Sequence, residues 1–119
     1  MLTKKVIEFV QIRGETNKIT RILSKRREVI KKYGAKVGMK VMQRISEFTA
    51  AESLQDISRL PPQRLHLLEG NLKGYWAVDV SPNWRLVFRG TTDNEIDTVE
   101  KNEVKIIWIK EIVDYHEHK

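Results

Sequence analysis

The residues able to do chemistry are few and lie in the second half of the chain. Histidine occurs at positions 66, 116 and 118, and cysteine does not occur. His66 stands in the run R-L-H-L-L-E-G, Arg85 and Arg89 in N-W-R-L-V-F-R, and Asp114, Tyr115 and His116 in the closing V-D-Y-H. Imidazole titrates near working pH and suits proton transfer. Guanidinium forks onto phosphate oxygens. Arg85 and Arg89 are four residues apart, a spacing that sends both from one face of a strand. His66, on a nearby strand, can share that face if the register allows. Such a set suits a phosphate. No metal ligand set is expected: thiolates are absent, and His116-x-His118 is an incomplete site. A P-loop, a dinucleotide fingerprint and a cysteine nucleophile are also missing.

The elements that must position these residues are legible as hydrophobic periodicity. Leu65 and Leu67 alternate with Arg64 and His66; Trp76, Val78 and Val80 alternate with Tyr75, Ala77 and Asp79; Trp84, Leu86 and Phe88 alternate with Asn83, Arg85 and Arg89. A period of two predicts half-buried strands. Ser81-Pro82 interrupts the last two runs, so residues 74–89 read as an antiparallel hairpin. Upstream, residues 6–12 (VIEFVQI) are apolar on both faces and predict a strand, placed centrally. Thr16 or Asn17 can cap a helix to about residue 33. Gly34 ends it, and a second helix follows to about residue 48, forming a helical hairpin laid on the sheet. Ser53 caps a short helix over residues 54–60, which Pro61-Pro62 ends. Residues 91–103 predict an exposed acidic loop and residues 105–113 the last strand. Trp76, Trp84 and Trp108 are expected in the core. One domain over residues 1–119, of class α+β with a mainly antiparallel sheet, accounts for this order.

Composition sets the outer limits. The 119 residues carry a formal charge of +6, and the excess is local. Residues 13–44 hold eleven Lys and Arg against Glu15 and Glu28, whereas from residue 61 onward acids outnumber bases ten to eight. A basic patch of this kind favours a polyanion or an acidic protein partner. No apolar run is long enough to span a membrane and no signal-peptide pattern is present, so a cytoplasmic protein without membrane association is expected.

The series R-L-H-L-L-E-G, K-G-Y-W-A-V and N-W-R-L-V-F, closed by V-D-Y-H, resembles the HigB branch of the RelE/ParE toxin superfamily. These are toxin halves of bacterial type II toxin–antitoxin pairs. The resemblance covers the last half of the chain residue by residue and residues 31–60 more loosely. It implies a small curved sheet with helices on one face. The implied activity is ribosome-dependent, metal-independent mRNA cleavage that inhibits translation, without a cofactor. The implied partners are a HigA-like helix-turn-helix antitoxin, the ribosome and mRNA, with operator DNA reached only through the antitoxin. Matched residue by residue, His66, Arg85, Asp114, Tyr115 and His116 take catalytic positions. His66 is the first choice for proton transfer and Arg85 for charge stabilisation. Asp114 can orient a histidine or act as a base, Tyr115 can stack or donate a proton, and His116 can be the acid or touch phosphate. Lys73 in the K-G turn, Asn83 and Arg89 are candidate RNA contacts. Glu69 departs from the pattern, since many relatives carry lysine there. Two alternatives stand beside this reading: a gyrase-inhibiting toxin of the ParE branch, which lacks the histidine set, and a catalytically inactive antitoxin-binding module.

Overall fold

The computed structural model describes residues 7–115, as two helices against a five-stranded mixed sheet. The strands are β1 (Gln11–Gly14), β2 (His66–Leu67), β3 (Trp76–Asp79), β4 (Trp84–Thr91) and β5 (Ile106–Asp114), in the spatial order β1-β5-β4-β3-β2. All pairings are antiparallel except β1 with β5. The predicted hairpin is present: Asp79 pairs with Arg85 across a turn containing Ser81 and Pro82.

The helices are α1 (Asn17–Leu23) and α2 (Arg26–Thr49), and Thr16 caps α1 by accepting from the Ile19 amide at 3.2 Å. The helical hairpin turns earlier than expected. Ser24 Oγ donates to the Arg21 carbonyl at 2.7 Å and Lys25 is extended, so the chain breaks at residues 24–25 rather than after residue 33. A serine hydroxyl that competes for helix carbonyls favours such a break. Gly34 bends α2 instead, at φ 85 and ψ 162, a conformation that glycine alone adopts without steric cost. The short helix predicted over residues 54–60 is a single 3₁₀ turn, Leu54–Asp56, with Ser53 Oγ accepting from the Gln55 amide.

Two apolar layers separate the faces of the sheet. Val29, Val41 and Phe48 of α2 pack on Trp76, Val78, Leu86, Phe88, Ile107 and Ile109, and this is the main core. Among the described residues the other face carries a smaller cluster of Leu68, Ala77 and Val87, with Leu72, Tyr75 and Val113 beside them, and no residue of α1 or α2 belongs to it. The helices therefore cover one face and leave the other open to a ligand.

Three expectations are corrected. The N-terminal strand lies at the sheet edge, not the centre, and begins at Gln11. Val10 donates its amide to the Ala51 carbonyl at the end of α2, so the ladder cannot start earlier, and Ile7 and Phe9 are exposed. Val6 lies outside the described residues. Alternation also fails around β2, where Leu65 is buried but Leu67 is 42% exposed. Trp108 is not in the core. It pairs with Arg89 on the open face, lying between the Arg13 and Arg89 guanidinium carbons at 5.0 and 4.9 Å from its ring centre.

Two tyrosines give the fold an alkaline limit. Tyr33, edge-on to Trp84 at 5.8 Å, has its phenol pKa raised by burial and then by the Glu111 charge. Tyr75 is raised by burial and then by its hydrogen bond to Glu15. A phenol with a raised folded pKa holds its proton longer folded than unfolded. Its stabilising contribution is complete below the unfolded value of 10.0 and is lost as pH rises through the folded value. Stability is expected to fall as pH climbs past 10.0, and Tyr33→Phe with Tyr75→Phe is expected to flatten that fall. Urea unfolding midpoints on either side of this pH provide the check, and equal slopes in parent and double variant would contradict it.

Candidate active site on the open sheet face

Register decides which side chains meet. Directly opposed residues of paired strands share a face. Asp79 opposes Arg85, Arg85 opposes Val113, and His66 opposes Ala77, which packs with Val87. His66, Asp79 and Arg85 therefore project together on the open side. His66 and Arg85 are separated by two strand spacings, about 10 Å, and by one residue pair along the strands, about 7 Å. They flank a common strip of surface rather than touch.

Arg85 is the residue whose surroundings ask for a ligand. It is half-buried, and its Nε is sealed from solvent without an acceptor. Among the described residues it makes no ion pair, because the carboxylate directly opposite is already engaged. Asp79 gives both oxygens to Arg64, at 2.8 Å from Nε and 3.1 Å from Nη2. A guanidinium partly withdrawn from water without an ion-pair partner of its own favours an incoming anion. The Arg85 guanidinium carbon lies 5.1 Å from the Tyr115 ring centre, a cation–π contact. Tyr115 is held by its hydroxyl donating to the Pro82 carbonyl at 2.9 Å and its amide donating to the Asn83 carbonyl at 3.1 Å. The β3–β4 turn thus fixes the ring against which Arg85 rests.

His66 is fixed as well. Its Nδ1 lies 2.7 Å from the Arg64 carbonyl oxygen. A carbonyl can only accept, so Nδ1 carries the proton and Nε2 holds the lone pair of the neutral ring. The imidazole is half-buried and can accept a proton at Nε2. Arg64 itself has a raised pKa, chiefly from its hydrogen bond to Asp79, opposed by desolvation and aided by the Asp79 charge and by Tyr115.

The remaining candidates are dispersed. Asp114 pairs with Trp84, which packs on Tyr33 of α2, so it projects toward the helix side and not beside Arg85. His116 lies outside the described residues. Asn83 lines a groove with Lys36, Lys40 and Arg44 on the helix side of the turn. Lys73 and Arg89 line a separate cleft at the opposite end of the open face. Arg89 is neutralised there by Glu15 at 3.0 Å and Asp97 at 2.8 Å. Glu69 is exposed and precedes the 3₁₀ turn Gly70–Leu72 without capping it. Arg64 and Asp79 were not among the candidates. Asp79 was recoverable by counting back across the Ser81-Pro82 turn, whereas the placement of Arg64 depends on a backbone angle that the sequence does not display.

The helices supply the charge. The lysines and arginines of residues 18–40 are all exposed, and none pairs with a carboxylate among the described residues. No described helix is long and apolar enough to cross a membrane. A family model for the RelE-like toxin HigB of type II toxin–antitoxin systems matches residues 24–100, from the start of α2 through β4. The chain belongs to the HigB-like toxin family. A comparison with curated proteins gives no match. The family is one of type II toxins, so an antitoxin partner is implied for this HigB-like toxin. Its helices on one sheet face agree with a RelE-like fold. The match ends before β5, and Asp114 and Tyr115 lie beyond it.

Proposed function

We propose that this HigB-like toxin is a ribosome-dependent mRNA endoribonuclease that stops translation by metal-independent cleavage of the message. The observation that carries the reading is Arg85: a half-buried guanidinium with a sealed, unpartnered Nε, on the open face shared with His66. In the proposed step His66 Nε2 removes the proton from the ribose 2′-OH, and the 2′-oxygen attacks the adjacent phosphorus. Arg85 stabilises the charge on the phosphorane, with Tyr115 holding its guanidinium in place. The bond to the 5′-oxygen breaks, and His116 returns a proton to it. A 2′,3′-cyclic phosphate and a 5′-hydroxyl result. Asp114, on the helix side, takes no part in this step. Glu69 cannot bind phosphate as a carboxylate, so the charge of the transition state falls to Arg85.

The exposed lysines and arginines of α1 and α2 are assigned to ribosomal RNA. Lys73 and Asn83 are assigned to the message on either side of the cut, and Arg89 to the RNA backbone once displaced from Glu15 and Asp97. The antitoxin is a HigA-like helix-turn-helix protein through which operator DNA is reached, and the compartment is the cytoplasm. Translation in vitro of a defined message tests the reading. Addition of the toxin is expected to cut the message at fixed sites only when ribosomes are present. The His66→Ala, His116→Ala double variant is expected to cut at least ~10²-fold more slowly. An intact message at high toxin concentration, with gyrase supercoiling blocked instead, would move the protein to the gyrase-poisoning class. Antitoxin binding with neither effect would make it an inactive binding module.

A further inference from the structure

His66 is set by its neighbour two residues earlier, and that neighbour is itself held from across the hairpin. Arg64 has φ 49, in the left-handed region that residues other than glycine, asparagine and aspartate seldom occupy. Its carbonyl receives the His66 Nδ1 proton at 2.7 Å. Its side chain forks onto Asp79 through Nε and Nη2 at 2.8 and 3.1 Å. Asp79, the last residue of β3, is immobilised on three sides. Its amide donates to the Gln63 carbonyl at 2.8 Å, its own carbonyl accepts from Nε of buried Arg44 at 2.7 Å, and its carboxylate holds Arg64. The connection from α2 to the imidazole is thus continuous: Arg44, Asp79, Arg64, His66.

We propose that Asp79 and Arg64 are positioning residues for His66: the Asp79 fork keeps Arg64 in the left-handed turn, and the Arg64 carbonyl then locks the ring with Nδ1 protonated and Nε2 available. A planar fork suits the task because two parallel bonds fix orientation as well as distance. A carbonyl partner on one ring nitrogen sets the state of the other. The pair also explains why Asp79 does not quench Arg85, which it directly opposes: its oxygens are spent on Arg64. The kinetic consequence rests on the cleavage reading above, whereas the effect on the ring does not.

The test is the tautomer of His66, read from ¹⁵N chemical shifts of the full chain. The unmodified protein is expected to show one tautomer, with Nδ1 protonated. Asp79→Asn removes the charge of the fork. Arg64→Gly removes the side chain while allowing the left-handed backbone without strain, so it controls for simple misfolding, and the amide spectrum confirms the fold of each variant. In both, the expected result is a mixture of tautomers. In multiple-turnover cleavage on programmed ribosomes, kcat is expected to fall by about 10–100-fold with KM unchanged, the size that a misplaced catalytic group produces. A single Nδ1-protonated ring in both variants, or an Nε2-protonated ring in the parent, would overturn the proposal. So would a rise in KM alone, which would make Arg64 a phosphate contact. A parent that cuts no message would defeat the cleavage reading and leave the spectra to decide the positioning role.

Discussion

Arg85→Ala is expected to slow message cleavage by about 10²–10³-fold, the loss typical when one preorganised donor to a developing oxyanion is removed. The Arg85 Nε is sealed from solvent and has no acceptor, its guanidinium carbon sits 5.1 Å from the Tyr115 ring centre, and the facing carboxylate is engaged by Arg64. A charge held in this way needs little reorganisation when phosphate charge builds up beside it. Arg85→Lys keeps the charge but loses the planar fork and is expected to recover only part of the rate. Stability should move the other way. Truncation relieves a buried donor without a partner, whose cost is about 1–3 kcal/mol, so the Tm is expected to hold or rise. A large fall in Tm would mean that Arg85 serves the fold. An unchanged rate would remove it from the site.

Phe48→Ala is expected to destabilise the protein by about 3–5 kcal/mol, the usual cost of emptying a buried phenylalanine site. Phe48 is 1% exposed and its ring centre lies 5.2 Å from that of Phe88 in an edge-on contact. With Tyr33 on Trp84, it is one of the points at which α2 seats on β4, the strand that also carries Arg85. Domains of this kind are stable by only about 5–15 kcal/mol in total, so the variant should sit near the threshold for folding. Urea unfolding measures the difference directly. A loss below about 1 kcal/mol, within the range of ordinary surface substitutions, would contradict the placement of the core.

The parts of the fold that were legible rest on strict local periods. The hairpin over residues 74–89 was readable because alternation continues on both sides of Ser81-Pro82, and it carried the shared face of Arg85 and Arg89 with it. The match of the HigB-like family to residues 24–100 agrees with the motifs read there. Where local pattern gave way to tertiary bonds, the reading failed. Nothing in the helix-forming run around Ser24 announced that its hydroxyl would take the Arg21 carbonyl and end α1. Val10 looked like a central-strand residue, yet its amide is committed to Ala51. Trp108 was misplaced because β5 is bulged: the register with β4 shifts between Val87 and Phe88, which puts Ile112 on the helix side and Trp108 on the open side. Arg89 was readable as sharing a face with Arg85, but its capture by Glu15 depends on contact across 74 residues. The pairing of Arg64 with Asp79 needs a left-handed residue that is not glycine, and composition gives no sign of one.

In the proposed reaction the open face acts on an RNA phosphodiester through its own neighbouring 2′-hydroxyl. The most direct measurement is cleavage, on ribosomes, of a message carrying a single 2′-deoxynucleotide immediately 5′ of the mapped scissile phosphate. This message is expected to survive intact while its all-ribose twin is cut, leaving a 2′,3′-cyclic phosphate. Cutting of both messages at the same site would contradict it.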